Sequence, residues 1–156
     1  MPPSRKNALA LFDWPPVWLV AGAAAMWALA EFVPAVAWDR PWSRWLGLAL
    51  IAAAFALAGW SVVAFARRRT PVIPRQAPTT LITDGPFRFS RNPIYLSDVL
   101  ILVGWGFWLA ALTPFLIVPL FAVILERRFI VDEEARLEAA FGARFDAYAA
   151  RTRRWL

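Results

Sequence analysis

The sequence predicts an all-α membrane protein with four transmembrane helices, a tight hairpin between the third and fourth, and a C-terminal amphipathic cytoplasmic helix. Hydrophobic residues make up 60% of the 156 residues, and the mean hydropathy is +0.51. Ten residues are Trp, and aromatic side chains favour the interface between membrane and water. A soluble domain of this length is normally less apolar, so the composition indicates a membrane protein.

Four long apolar runs define the expected spans. A helix of about 20 apolar residues crosses a hydrocarbon core of roughly 30 Å. The first run follows Arg5 and Lys6, as a signal peptide would, but it is too long for a signal-peptide core and no cleavage site of small residues ends it. The spans are expected at residues 15–37, 45–66, 94–112 and 114–131, within a transmembrane domain of residues 15–131.

The segments that flank these spans are short or polar. Residues 1–14 are expected to be an N-terminal tail, and residues 67–93 a cytoplasmic loop. Three prolines in residues 70–78 predict an extended linker within that loop. Only Thr113 and Pro114 separate the third and fourth runs, which predicts the helical hairpin.

Basic residues predict the orientation in the membrane. With both termini in the cytoplasm, all of the 17 Lys and Arg residues except Arg40 and Arg44 lie on the cytoplasmic side. The positive-inside rule favours this arrangement, which we expect in the bacterial inner membrane. The isoelectric point of about 11.2 is then explained by topology and by attraction to anionic headgroups. Membrane lipids, and no nucleic acid, are therefore the expected partners.

The C-terminal segment, residues 132–156, is expected to be cytoplasmic and to contain a helix over residues 132–149. Its apolar residues recur at spacings of four, four and three, and charged residues occupy the other faces. We expect such a helix to lie on the membrane surface or to pack beneath the bundle. The apolar stripe consists of Leu137, Phe141, Phe145 and Tyr148.

The absence of cysteine and histidine narrows the possible chemistry. Without cysteine the chain has no disulfide and no thiolate metal site. Without histidine it lacks the usual general base and the commonest metal ligand. Its eleven carboxylates do not follow the spacing of a calcium-binding loop. We therefore expect no metal site.

Two polar segments, residues 83–95 and 126–138, lie on the predicted cytoplasmic side. A membrane protein normally keeps polar backbone away from lipid. Taken singly the residues have structural explanations, since Asn92 suits a helix cap and Pro93 the first helical position. Taken together, two such segments at one membrane face indicate a site.

Acidic and basic residues alternate along the second polar segment. On a regular helix Arg127 and Glu134 share a face, as do Glu126 and Glu133, because seven residues make close to two turns. Such a cluster can bind a ligand that carries both charges. The plain alternative is a set of interfacial ion pairs, each worth about 0–1 kcal/mol.

The two polar segments resemble the signature of the integral-membrane methyltransferases, which include the isoprenylcysteine carboxyl methyltransferases and the phospholipid N-methyltransferases. The resemblance covers roughly residues 72–156. Its first half reads Thr83-x-Gly85-Pro86-Phe87-Arg88-x-Ser90-Arg91-Asn92-Pro93-x-Tyr95. Its second half reads Glu126-Arg127, then Glu133-Glu134-x-x-Leu137, Phe141-Gly142, Tyr148 and Arg154-Trp155.

The resemblance implies an S-adenosylmethionine site at the cytoplasmic face of the membrane. The catalytic candidates beside this site are Glu126 and Glu134, either of which can act as the base for an amine acceptor if burial raises its pKa, and Arg127, which can contact an acidic group. The implied cofactor-binding residues are Thr79, Thr80, Leu81, Ile82, Phe87, Arg91, Asn92, Pro93, Ile94, Tyr95 and Glu133.

The resemblance also implies a lipophilic methyl acceptor that enters from the bilayer. A lipid headgroup amine is the first expectation, and an isoprenoid, a small thiol or a carboxyl compound the next. Phe129 stands where the prenylcysteine enzymes have an arginine for the substrate carboxylate, which disfavours carboxyl methylation. The alternatives are a non-catalytic scaffold that binds a lipid or a partner, and a nicotinamide reductase, which the absence of G-x-G-x-x-G disfavours. Glu31 and Asp98, two acids within predicted spans, are further functional candidates.

Overall fold

The computed structural model describes residues 14–38, 41–70 and 79–156, and these residues are helical apart from their connections. Proline opens the first three α-helices, where its missing N–H costs nothing and its fixed φ favours helical geometry. The α-helices are α1 (Pro15–Phe32), α2 (Pro41–Arg67), α3 (Pro93–Leu109), α4 (Ile117–Leu125), α5 (Val131–Phe141) and α6 (Ala143–Ala149).

Helices α1 and α2 are long and apolar enough to cross a membrane. Only 11% of the most hydrophobic window of each is buried within the protein. Large apolar side chains such as Val20 on α1 and Phe55 on α2 are 69% and 64% exposed. The core helix of a soluble protein would bury these residues, so the two helices have the properties of membrane spans.

The predicted third and fourth spans take a different form. Helix α3 has 17 residues and is apolar, while the fourth span corresponds to a short 3₁₀ turn, Thr113–Leu116, followed by α4. The chain leaves α3 through Ala110, which adopts a left-handed conformation with φ of 53°. Thr113 and Pro114 therefore begin the next helical segment, and the change of chain direction after α3 occurs before them, at residues 110–112. The four-span arrangement and the transmembrane hairpin stay predictions.

No helix boundary separates the fourth predicted span from the C-terminal helix. A π-helical turn, Glu126–Ile130, joins α4 directly to α5. In this turn the N–H of Val131 donates to the carbonyl of Glu126, five residues earlier. The boundary expected between residues 131 and 132 is thus absent, because the π turn carries the helix through it.

The predicted single helix over residues 132–149 is instead divided at Gly142. This residue has φ of 50° and ψ of −127°, a backbone conformation that favours glycine. Beyond the break, Phe145 and Tyr148 are buried, so α6 packs against the rest of the protein, whereas Leu137 and Phe141 are half-buried on α5.

Helices α2 and α3 pack together at very short range. A Cβ atom built on Gly47 would lie 2.5 Å from the carbonyl oxygen of Gly104, and one built on Gly104 would lie 2.7 Å from that of Gly47. Small residues at facing positions allow backbones to approach in this way, as in many membrane helix pairs. The pairing holds the start of α3 next to the end of α2, where the site lies.

Candidate functional site

A cavity of about 330 Å³ lies where α1 and α3 begin and α2 ends. This volume lies at the small end of the range typical of small-molecule sites. Aromatic and proline side chains form most of its wall, and two carboxylates and one guanidinium supply its charge. The lining residues are Trp14, Pro15, Pro16, Phe65, Phe87, Arg91, Asn92, Pro93, Ile94, Tyr95, Asp98 and Glu133.

The segment before α3 is fixed by hydrogen bonds to the C-terminus of the chain. Asn92 precedes the helix, but its side chain does not cap it. Instead, its Nδ2 donates to the carbonyl oxygen of Arg154 at 3.2 Å, and Ser90 Oγ donates to the same oxygen. The backbone N–H of Arg91 donates to the carbonyl of Arg153 at 2.9 Å. Asn92 and Ser90 are both buried, so these hydrogen bonds satisfy polar side chains that have little access to water.

Tyr95 joins the two halves of the sequence signature within the cavity. Its hydroxyl donates to Oε1 of Glu133 at 2.7 Å, and its ring stacks on Phe129 with centroids 6.2 Å apart. The Tyr95 side chain is buried, and one charge-assisted bond from it holds the Glu133 carboxylate at the cavity wall.

Arg154 occupies the centre of an ion-pair network next to the cavity. Its Nε lies 3.2 Å from both carboxylate oxygens of Glu134, and its Nη2 lies 2.6 Å from Oε2. Its Nη1 donates to Glu126, whose other oxygen accepts from the indole N–H of Trp155 at 3.1 Å. The hydrogen bond with Glu134 raises the pKa of Arg154 above its ordinary value. Arg91 Nη2 approaches Glu134 from the cavity side at 3.1 Å.

The π-helical turn explains which acids share this network. Seven residues on a regular helix would align Glu126 with Glu133, but the structure aligns Glu126 with Glu134, eight residues away. One extra residue in a π turn offsets the later residues by about 100° relative to an α-helix. Glu134 thereby reaches Arg154, and Glu133 is left facing Tyr95. The predicted pairing of Arg127 with Glu134 gives way to that of Arg154 with Glu134 for the same reason.

Tyr148 on α6 anchors the turn that carries Phe87. Its hydroxyl donates to the carbonyl oxygen of Phe87 at 2.7 Å, and burial raises the pKa of this hydroxyl well above its ordinary value of 10.0. The Phe87 ring packs edge-on against Phe65 of α2, with centroids 5.4 Å apart. The 3₁₀ turn Gly85–Arg88 is therefore held from two sides, and Phe87 is buried at the cavity wall.

The structure brings many, but not all, of the predicted site residues to this cavity. Phe87, Arg91, Asn92, Pro93, Ile94, Tyr95 and Glu133 line it. Thr79, Thr80, Leu81 and Ile82 are not among the lining residues; Ile82 is buried elsewhere, and the Thr79 hydroxyl lies 3.0 Å from that of Thr70. Of the catalytic candidates, Glu126 and Glu134 bind Arg154 outside the lining, and Arg127 is exposed.

Several residues at the site are not identified by sequence reasoning as members of it. Trp14, Pro15 and Pro16 come from the start of α1, and Phe65 from the end of α2. They lie outside the part of the chain that carries the signature, and only the packing of the helices brings them to the cavity. Arg154 belongs to the signature, but its pairing with two acids more than 19 residues earlier in the chain has no local signal.

Most of the chain is similar to a known protein family. Residues 42–144 match the phospholipid methyltransferase family. The chain belongs to this family. The matched residues include α2 apart from Pro41, the turn that carries Phe87, all of α3 and the pair Glu133 and Glu134. Family membership implies methyltransferase activity in general, and together with the two apolar helices it indicates a membrane methyltransferase.

The chain is also similar to one protein of bacterial origin and to no solved structure. An uncharacterized protein from Haemophilus influenzae (strain ATCC 51907 / DSM 11121 / KW20 / Rd) is 38% identical over 63 residues, which are 100% of that protein and 40% of this chain. No solved structure gives a significant match. The assignment of this chain to the phospholipid methyltransferase family therefore rests on the match over residues 42–144.

Proposed function

We propose that this chain is a membrane-embedded, S-adenosylmethionine-dependent methyltransferase that acts on a lipophilic acceptor. One observation carries the proposal: a single cavity collects residues from both halves of the signature, joined by the hydrogen bond between Tyr95 and Glu133. A lipid headgroup amine is the first choice of acceptor, and an isoprenoid or a small thiol is the next. Carboxyl methylation is disfavoured, because buried Phe129 stands at the position of the expected arginine.

The residues around the cavity fit the chemical groups of the cofactor. The rings of Phe65, Phe87 and Tyr95 offer apolar surfaces for a nucleobase. The carboxylate of Glu133 favours a positive charge nearby. Arg91 Nε is buried without a hydrogen-bond partner among the described residues, and a buried donor of this kind suits a ligand carboxylate.

When bound, S-adenosylmethionine would supply a methyl group on a positively charged sulfur, which would pass to the lone pair of the acceptor, and Phe87, Arg91, Tyr95 and Glu133 would hold the cofactor. The protein then needs to bind and orient the cofactor and the acceptor and to exclude water from them, since no covalent nucleophile is required. Tyr95 orients Glu133, and Tyr148 fixes the turn that bears Phe87. Glu126 and Glu134 act as positioning residues, because both hold Arg154 rather than line the cavity.

The placement in the membrane is part of the proposal. We infer that α3 and the segment formed by the Thr113–Leu116 turn, α4 and the π turn cross the bilayer beside α1 and α2, which gives four spans with both termini in the cytoplasm of a bacterial cell. The distribution of basic residues supports this orientation. The cavity then opens at the cytoplasmic face, where a soluble cofactor and a membrane-bound acceptor can meet.

Calorimetric titration of the detergent-purified full chain with S-adenosylhomocysteine tests the proposal. We expect wild type to bind with an affinity of the order of micromolar, as is usual for enzyme ligands. Glu133→Gln and Tyr95→Phe should each weaken binding by about tenfold, because each removes a charge-assisted hydrogen bond. Glu138→Gln, an exposed change on the same helix, is the matched control and should bind as wild type does.

The outcome decides between catalysis and a scaffold role. If folded wild type binds no S-adenosylhomocysteine even with lipid present, the methyltransferase proposal fails, and a scaffold that binds lipid or a partner becomes the better explanation. If the Glu133 and Glu138 variants bind equally well, the cofactor lies elsewhere in the molecule.

A further inference from the structure

Asp98 is the carboxylate of the cavity that the interactions described above leave unexplained. It lies one turn after Tyr95 on α3, half-buried, and lines the cavity. The structure shows no hydrogen bond or ion pair between its carboxylate and the other described residues. A carboxylate in a largely apolar wall without a partner is costly to bury, and a cationic group in the cavity would offset this cost.

The other acids near the cavity are already engaged. Glu133 accepts the hydroxyl of Tyr95, and Glu134 binds both Arg154 and Arg91. Glu126 binds Arg154 and the indole of Trp155. The two residues that the sequence suggests as bases for the acceptor therefore face a guanidinium, and Asp98 faces the cavity.

The position of Asp98 also suits the headgroup of a lipid. It lies five residues into α3, which corresponds to about 8 Å along a helix axis. Trp14 also lines the cavity and is 57% exposed, so the cavity reaches the protein surface beside α1. A chain lying in the bilayer can pass this edge while its headgroup remains inside.

From these contacts we propose that Asp98 binds the amino group of the methyl acceptor and so selects an amine-headed lipid. This inference rests on the proposed function, and it assigns to Asp98 the role that sequence reasoning gives to Glu126 or Glu134. The carboxylate of Asp98 forms an ion pair with the protonated amine in the ground state, and it accepts the proton that the amine releases before the nitrogen lone pair attacks the methyl group. An anionic or neutral headgroup at the same place forms no ion pair with Asp98, and the guanidinium of the cavity, Arg91, already pairs with Glu134 through Nη2 and offers its Nε to the cofactor carboxylate.

Binding of short-chain lipids, measured without any methyl transfer, tests this assignment. The probes are dihexanoyl phosphatidylethanolamine and dihexanoyl phosphatidylglycerol, which share a phosphate and differ in the amine. Titrated below their micelle concentrations into the detergent-purified full chain, the first should bind wild type about tenfold or more tightly than the second, the usual scale of a charged hydrogen bond. Asp98→Asn should remove this preference.

Two further variants separate a loss of recognition from a loss of folding. Asp98→Glu keeps the charge and should retain the preference for phosphatidylethanolamine. Asp146→Asn makes the same chemical change at an exposed position of α6 and should behave as wild type. A preference for phosphatidylethanolamine that is unchanged in Asp98→Asn would overturn the proposal.

Cofactor binding measured in parallel distinguishes this inference from the proposed function. Asp98→Asn should bind S-adenosylhomocysteine and S-adenosylmethionine as wild type does. If it loses S-adenosylmethionine selectively, Asp98 faces the sulfonium and the acceptor assignment is wrong, while the methyltransferase proposal stands. If wild type binds neither cofactor but prefers the amine lipid through Asp98, the proposed function fails and the amine site remains.

Discussion

Arg154 binds Glu134 through two nitrogen atoms, with Nη2 2.6 Å and Nε 3.2 Å from the carboxylate oxygen Oε2. The Glu134 side chain is only 14% exposed and that of Arg154 is 32% exposed, so solvent screens the pair weakly. The same guanidinium reaches Glu126, and the backbone carbonyl of Arg154 holds Asn92. The C-terminus of the chain is therefore joined to both polar segments of the signature.

Removing the Arg154 side chain should destabilise the protein. Arg154→Ala leaves two carboxylates close together without their cation, and we expect a loss of about 2 kcal/mol, below the cost of breaking a fully buried pair. Thermal unfolding of the detergent-purified protein measures the change. Arg153→Ala, whose side chain is exposed, is the control and should unfold as wild type does; equal midpoints for the two variants would show that the network contributes nothing.

Close packing of α2 on α3 predicts opposite effects for two glycines of the same helix. Gly47→Ala places a methyl group 2.5 Å from the Gly104 carbonyl oxygen and 2.9 Å from the Trp108 nitrogen, so the helices must separate at a cost of about 1–3 kcal/mol. A Cβ at Gly59 meets nothing within 4 Å, and Gly59→Ala should stabilise α2 by up to about 1 kcal/mol. Thermal midpoints that move in the same direction would contradict this packing.

Stability at alkaline pH should depend on Tyr148. Burial favours its neutral form, so its pKa is higher in the folded protein than the unfolded value near 10.0. The neutral hydroxyl therefore contributes stability that is fully present below about pH 10 and is lost as the pH rises through the folded pKa. Tyr148→Phe should cost about 1 kcal/mol at pH 7, where it removes the bond to Phe87.

The same variant should lose less stability above pH 10 than wild type does, because phenylalanine has no proton to release. Unfolding midpoints measured from pH 7 to 11 give the two slopes. Tyr95→Phe, at the other tyrosine of the chain, is the comparison for general effects of removing a phenol. Parallel slopes for wild type and Tyr148→Phe would show that Tyr148 is not the group responsible.

The π-helical turn predicts that a residue can be removed at Arg127 but not added. Deleting this exposed residue converts the turn into regular α-helix and leaves Glu134 seven residues after Glu126, on the same face. Glu133 and Glu134 then keep their contacts with Tyr95 and Arg154, and binding of S-adenosylhomocysteine should stay within about threefold of wild type, as it should in Arg127→Ala. Inserting an alanine after Arg127 instead rotates α5 by about 100° and should reduce binding below detection. Loss of binding in both the deletion and Arg127→Ala would assign the Arg127 side chain a direct role, as the sequence suggests.

Local patterns of the sequence predict the positions of the helices and the membrane character. Hydropathy places four apolar runs, and α1, α2 and α3 begin within a few residues of three of them. Proline at the start of α3 marks its first residue, because proline is favoured at the first position of a helix. The bundle core, which includes Leu102 and Leu125, follows from the same apolar runs.

Features that depend on contacts across the chain are not predicted. The predicted alignment of Glu126 with Glu133, seven residues later, assumes a regular helix. No residue type in the sequence predicts the π turn that aligns Glu126 with Glu134 instead. Glu134 and Arg154 come together because the chain turns at Gly142 and continues through α6. No local pattern in the sequence indicates that this turn brings the two residues into contact. The aromatic wall from α1 and α2 likewise depends on how helices pack, which periodicity alone does not specify.

The attachment of the signature loop to the carbonyls of Arg153 and Arg154 has a consequence for biogenesis. Membrane helices are inserted as they leave the ribosome, in chain order, whereas residues 153–155 are synthesised after every apolar helix. A polypeptide that has not yet reached Arg153 lacks the bonds to Arg91, Asn92 and Glu126. Such a chain contains all the apolar helices but not the contacts that fix the segment before α3, so the cavity is completed only by the last residues to be translated.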